Sequence, residues 1–110
     1  MSYKPVTTPF FERELKRLAK KYSSIREDYR RFLIELVENP LQGSPLGQDC
    51  YKVRMAIASK NKRKSGGARI ITCVKVIKET VYLLKMYDKS EQESIAANEL
   101  DDLLEASGLS

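Results

Sequence analysis

The apolar residues of this chain change their period once, and that change commits it to a helical part followed by a sheet. Up to residue 37 they recur every three or four positions, and from residue 51 they alternate. The first spacing suits a helix with one buried face, the second a strand with one buried face. Phe11, Leu15, Leu18 and Tyr22 form the first helical stripe, with Thr8 as N-cap and Pro9 at the first helical position. Ser24-Ile25-Arg26-Glu27 reads as a capping box that opens a second helix along Ile25, Tyr29, Phe32, Leu33, Leu36 and Val37. Asn39-Pro40 stops it. So short a junction predicts an antiparallel helical hairpin.

Residues 51–58 alternate, with Val53, Met55 and Ile57 on one side and Lys52 and Arg54 on the other. Residues 69–77 and 81–87 read as two more strands around a tight turn at Lys78-Glu79, giving an antiparallel meander. Residues 3–7 suit an edge strand, because Pro5 cannot donate to a ladder. Residues 40–49, rich in Pro and Gly, read as a loop, and Gly66-Gly67 as a turn that needs positive φ. Leu100, Leu103 and Leu104 mark a short closing helix within 90–106, ended by Ser107-Gly108. The predicted class is α+β: an N-terminal helical hairpin packed on an antiparallel sheet of three to four strands, a short C-terminal helix, and a second sheet face at least partly open. At 110 residues, 1–110 makes one domain.

What is missing narrows the chemistry. With no histidine, Ser-His-Asp and Cys-His catalysis, histidine-ligated metals and paired-histidine RNA cleavage are excluded. Cys50 and Cys73 are too few for a disulfide scaffold or a four-ligand zinc site, and read as small buried apolar residues. The expectation is a protein with no metal and no cofactor. No apolar run reaches the roughly 20 residues of a membrane span, and Met1-Ser2-Tyr3-Lys4-Pro5 lacks a signal peptide's apolar stretch, so no membrane and a cytoplasmic location are expected.

The charge is segregated. Residues 1–49 hold 9 basic and 7 acidic residues, 50–89 hold 11 and 2, and 90–110 hold none and 6. A strongly basic middle points to a polyanion. Within it, Lys60, Lys62, Arg63 and Lys64 read as RNA phosphate contacts. Side-chain parity places Lys52 and Arg54 on one sheet face and Lys85, Tyr87 and Lys89 together on one face, opposite Tyr82, Leu84 and Met86. Arg69 is assigned to the basic face although Ile71 and Cys73 share its parity. Such a face binds a phosphodiester and counters the charge that builds on it. RNA cleavage without histidine or metal then runs through attack of the RNA's own 2′-OH on the neighbouring phosphate. Crowding by cations eases loss of a lysine's proton, so Lys52 or Lys85 suits the base, with Glu91 as a carboxylate alternative. Arg54 and Arg69 suit charge stabilisation, and Tyr87 stacking or proton transfer. The acidic closing helix has two readings, simple docking or partial masking of the basic face.

The runs Asp49-Cys50-Tyr51-Lys52-Val53-Arg54, Ser65-Gly66-Gly67-Ala68-Arg69-Ile70-Ile71 and Tyr82-Leu83-Leu84-Lys85-Met86-Tyr87-Asp88-Lys89-Ser90-Glu91 resemble the RelE/ParE superfamily of bacterial toxins. Ser65-Gly66-Gly67-x-Arg69 and Tyr87-x-Lys89-x-Glu91 are closest to its HigB-like branch. The resemblance implies the toxin of a type II toxin–antitoxin module. RelE-like members cleave mRNA in the ribosomal A site with basic and tyrosine residues and no metal, which inhibits translation. It implies a cognate antitoxin, ribosomal RNA and mRNA as partners, with DNA met only through an antitoxin complex. By position, Lys52 and Arg54 match the family's paired basic residues, Arg69 the arginine opening the next strand, and Lys89 a lysine after the last strand. Where RelE has an arginine after that lysine this chain has Ser90, and no tyrosine follows Tyr87, which leaves Tyr87 for the tyrosine's role. The superfamily also holds ParE-like inhibitors of DNA gyrase that need no nuclease site. That reading, and a basic RNA-binding module without catalysis, are the alternatives.

Overall fold

In the computed structural model, residues 2–60 and 67–109 are described; Lys62, Arg63, Lys64 and Gly66 lie outside them. The Thr8-Pro9 start behaves as its sequence predicts and opens α1 (Pro9–Lys21). The Thr8 hydroxyl accepts the Phe11 N–H at 3.3 Å and donates to the Leu83 carbonyl at 3.1 Å. One side chain thus caps a helix and ties it to the sheet. Thr8→Ala is expected to cost about 1 kcal/mol, measured by urea denaturation.

The second helix, α2 (Ile25–Glu38), starts at Ser24 but without the expected capping box. The Ser24 N–H donates to Ser59 Oγ at 3.2 Å, and its hydroxyl donates to Asp28 Oδ2 at 2.7 Å. Glu27, cast as the reciprocal partner, pairs with Arg30 and Arg31 instead. Asp28 also accepts the Ala58 N–H at 3.1 Å. The start of α2 is therefore stitched to the short 3₁₀ turn Ala58–Lys60, a contact no local pattern announces.

The sheet has five strands and is mixed, where three to four antiparallel strands were expected. They are β1 (Lys4–Thr7), β2 (Ser44–Gly47), β3 (Cys50–Met55), β4 (Ala68–Lys75) and β5 (Thr80–Asp88), in spatial order β1-β5-β4-β3-β2. The edge strand expected at residues 3–7 is β1, and it pairs parallel with β5. The other edge, β2, lies in the expected loop. It folds back on β3 because Gly47, Gln48 and Asp49 all take positive φ, which makes a tight reversal. β4 stops at Lys75 rather than residue 77: Ile77 is 99% exposed, so its β-branched side chain imitated a strand without joining one.

Both faces of the sheet carry a core. On one, Phe11, Leu15, Leu18 and Leu36 of the hairpin pack on Val53, Ile70, Leu83 and Met86. On the other, α3 (Ala97–Ala106) sets Leu100 and Leu104 over Cys50, Ile71, Cys73 and Leu84. The second face is thus covered over part of its area and basic over the rest. The helical-hairpin, sheet and C-terminal-helix architecture is as predicted, with two further details changed. The β4–β5 register shifts from Ile71↔Lys85 to Thr72↔Leu83, leaving Leu84 as an extra residue, a β-bulge. The bulge puts Leu84 and Lys85 on the same face, where strict alternation opposed them. Gly67 is required for space rather than for positive φ: a Cβ there would stand 2.4 Å from the Met55 carbonyl oxygen and 3.1 Å from the Ile57 nitrogen. Gly67→Ala is expected to cost about 1–3 kcal/mol in the same denaturation measurement.

Candidate functional site

Two cross-strand rows build the site on the α3 face. Arg54 on β3 stands opposite Arg69 on β4, which stands opposite Tyr87 on β5. The next row on that face is Lys52, Ile71 and Lys85. The assignment of Arg69 to the face of Arg54 therefore holds, and Ile71 and Cys73, which share its parity, are buried under α3. Like charges directly opposed across a pair of strands destabilise it. Burial, and then the Arg54 charge, push the Arg69 guanidinium below its ordinary value. The pair holds positive charge at a cost in stability, an arrangement that suits an anion.

Tyr87 is 2% exposed, and among the described residues its hydroxyl has no hydrogen-bond partner. Burial pushes its pKa up; Arg69 opposes this and Glu99 adds to it. A buried donor without a partner is costly. Here it sits one strand from Arg69, in the same cross-strand row. Lys85 is enclosed: its ammonium pairs with Glu99 of α3 at 2.8 Å and lies 5.2 Å from the Phe10 ring centre and 5.9 Å from that of Tyr87. Lys52 is half-buried between Ser44 and Ile71 in the ladder. Lys89 stands one residue past β5, its backbone N–H donating to the Gly67 carbonyl at 3.1 Å.

Two expected site residues are placed elsewhere. Lys60 is drawn inward to Asp88, at 2.7 Å, with its side chain 12% exposed, rather than presented as a phosphate contact. Glu91 is clamped by Arg17 at 2.8 Å and Lys21 at 3.0 Å. Those hydrogen bonds, from Arg17 first, hold its carboxyl below the ordinary range, so it is no base for this site.

Asp88 was missed. It is fully buried and accepts from Tyr22 Oη at 2.6 Å, Lys60 Nζ and Ser90 Oγ at 2.7 Å each, the Ser90 N–H at 2.9 Å and Lys21 Nζ at 3.3 Å. Burial alone would raise its pKa; the bonds from Lys60, Tyr22 and Ser90 outweigh that and hold it well below the carboxylate range. The carboxylate locks α1, the 3₁₀ turn and the end of β5 together behind the Arg69–Tyr87 row. Its signal in the sequence was isolation: Asp88 and Glu79 are the two acids among residues 50–89. Glu99 and Phe10, which frame Lys85, were also missed and carry no local mark.

No protein-family model matches the chain. Solved structures do. A double arginine-to-alanine mutant of the E. coli toxin RelE in the free state is 26% identical, covers 84% of this chain and 90% of its own, and superposes with a TM-score of 0.59. The chain has the fold of the RelE toxins and is similar to them. The intact E. coli RelBE toxin–antitoxin complex matches over 79% of this chain and 96% of that one, at 24% identity and a TM-score of 0.61. The RelBE2 toxin–antitoxin complex of Mycobacterium tuberculosis gives 18%, coverages of 80% and 92%, and 0.60; both complexes speak for the fold alone. The RelE fold accounts for the hairpin, the meander and the C-terminal helix together. Among the described residues no helix is long and apolar enough to cross a membrane.

Proposed function

We propose that this chain is the toxin of a type II toxin–antitoxin module and that it cleaves mRNA engaged on the ribosome, without a metal. The observation that carries the reading is the opposed Arg54–Arg69 pair beside the Tyr87 hydroxyl, which has no partner among the described residues. The cations are in place before negative charge develops, the condition under which they lower a barrier most. The 2′-OH of the RNA attacks the adjacent phosphorus and the bond to the leaving 5′-oxygen breaks, giving a 2′,3′-cyclic phosphate and a 5′-hydroxyl. Arg54 and Arg69 take the charge on the non-bridging oxygens. Lys52 serves as the base, since Glu99 engages Lys85. Tyr87 donates to a phosphate oxygen or protonates the leaving group. The ribosome supplies the in-line geometry that so small a site does not impose by itself.

The partners that follow are mRNA, ribosomal RNA and a cognate antitoxin. RelE structures solved as RelBE complexes support the last of these. The first test is in cells. Induced expression is expected to stop bacterial growth, and the Lys52→Ala, Arg54→Ala double variant to restore it. Arrest by the double variant as strong as by the parent, with intact mRNA and altered plasmid supercoiling, would move the assignment to gyrase inhibition.

A further inference from the structure

We propose that Cys50 and Cys73 form a reversible disulfide site, a dithiol across β3 and β4 that a hydroperoxide closes into a cross-strand cystine. The two residues are opposite each other in the ladder. The Val74 N–H donates to the Asp49 carbonyl at 2.9 Å, so positions 49 and 74 are a hydrogen-bonded pair and the next pair, Cys50 and Cys73, is not. At such positions Cα atoms lie about 4.5 Å apart with side chains at their closest, within the roughly 4.4–6.8 Å that a disulfide spans. Both cysteines are free and buried. The Gln48 carbonyl accepts from Cys50 Sγ at 3.4 Å and from Cys73 Sγ at 3.9 Å, which holds both sulfurs to one side of the pair.

The two thiols are not equivalent. The neighbouring Cys50 thiol, aided by Lys75, pulls the Cys73 thiol down, while the nearness of Cys73 and burial push Cys50 up. Cys73 is therefore the sulfur that reacts first and Cys50 the one that resolves. The Cys73 thiolate attacks one oxygen of hydrogen peroxide; the O–O bond breaks and the second oxygen leaves as water once protonated. Cys50 then attacks the sulfenic sulfur, expelling hydroxide, which leaves as water with the Cys50 proton. Two thiols are oxidised to one disulfide and one peroxide is reduced to two waters. Hydrogen peroxide is water-sized, and it reaches the sulfurs when α3, held on this face by Leu100 and Leu104, opens locally. The pair is one row from Lys52, so the cross-link ties together the two strands that carry the arginines.

The test uses the whole chain, reduced and then treated with hydrogen peroxide before alkylation. The expected product is a monomer about 2 Da lighter than the reduced chain, with a linked Cys50–Cys73 peptide under non-reducing conditions. Its Tm is expected to rise by roughly 5 °C and to return on reduction with dithiothreitol. Cys50→Ala, which leaves Cys73 without a resolving thiol, is expected to gain oxygen instead. Two thiols that stay alkylatable after treatment would overturn the proposal. So would oxygen addition to both cysteines of the parent chain, or a cross-link between two chains.

Discussion

Arg54→Ala is expected to slow cleavage of ribosome-bound mRNA by about 10²–10³-fold without lowering the stability of the fold. The two halves of this expectation have one cause. Arg54 is an exposed residue directly opposite the buried Arg69, and its charge is one of the two influences that depress the Arg69 guanidinium. Removing it relieves a like-charge repulsion across two strands, so unfolding free energy should stay level or rise by a few tenths of a kcal/mol. The same removal takes away a cation proposed to meet the charge of the transition state. A residue placed only for structure would show the opposite combination, with stability lost and cleavage kept. Urea denaturation and single-turnover cleavage on the same preparation separate the two, and a variant that is less stable but fully active would reject the assigned role.

Asp88→Asn is expected to cost about 3–5 kcal/mol, a large share of what a domain of this size has. The carboxylate is fully buried, and Lys60 and Lys21 face it as cations. An amide of the same shape leaves the enclosed Lys60 ammonium without its counter-charge, while Lys21 keeps Glu91. Because the folded-state pKa of Asp88 lies below the unfolded value of about 3.9, the unfolded chain takes up the proton first. The contribution of the carboxylate is then complete above about pH 5 and drains away as the pH falls below about 4. Unfolding curves at pH 7 and pH 3 should therefore show the gap between parent and variant narrowing in acid. A gap under 1 kcal/mol at pH 7, or one that widens in acid, would contradict the account of the lock.

How much of this was readable in advance follows from the range of each interaction. Thr8, Pro9 and the stripe from Phe11 to Leu18 act within a few residues of themselves, and α1 begins where they say. The Arg54–Arg69–Tyr87 row needed only parity and the order of the strands, both local matters. Parity failed at Leu84, since a single inserted residue reverses every assignment on one side of it and the bulge has no marker of its own. β2 was lost because a four-residue strand containing Pro45 and Gly47 has the composition of a turn. Lys60 and Glu91 were misjudged for a different reason. Their partners, Asp88 for one and Arg17 for the other, are 28 and 74 positions away, beyond any pattern along the chain. Charge composition identified the basic middle correctly and yet did not say which cations were already neutralised within the fold.

The activity proposed for the Lys52, Arg54, Arg69 and Tyr87 face is cleavage of mRNA on the ribosome. The measurement that meets it most directly adds the purified chain to a reconstituted translation reaction and maps mRNA 5′ ends by primer extension, beside a lane of the same mRNA without ribosomes. New 5′ ends are expected at A-site codons in the translating lane alone, and none with the Lys52→Ala, Arg54→Ala double variant. Intact mRNA and undiminished translation in that lane would contradict it.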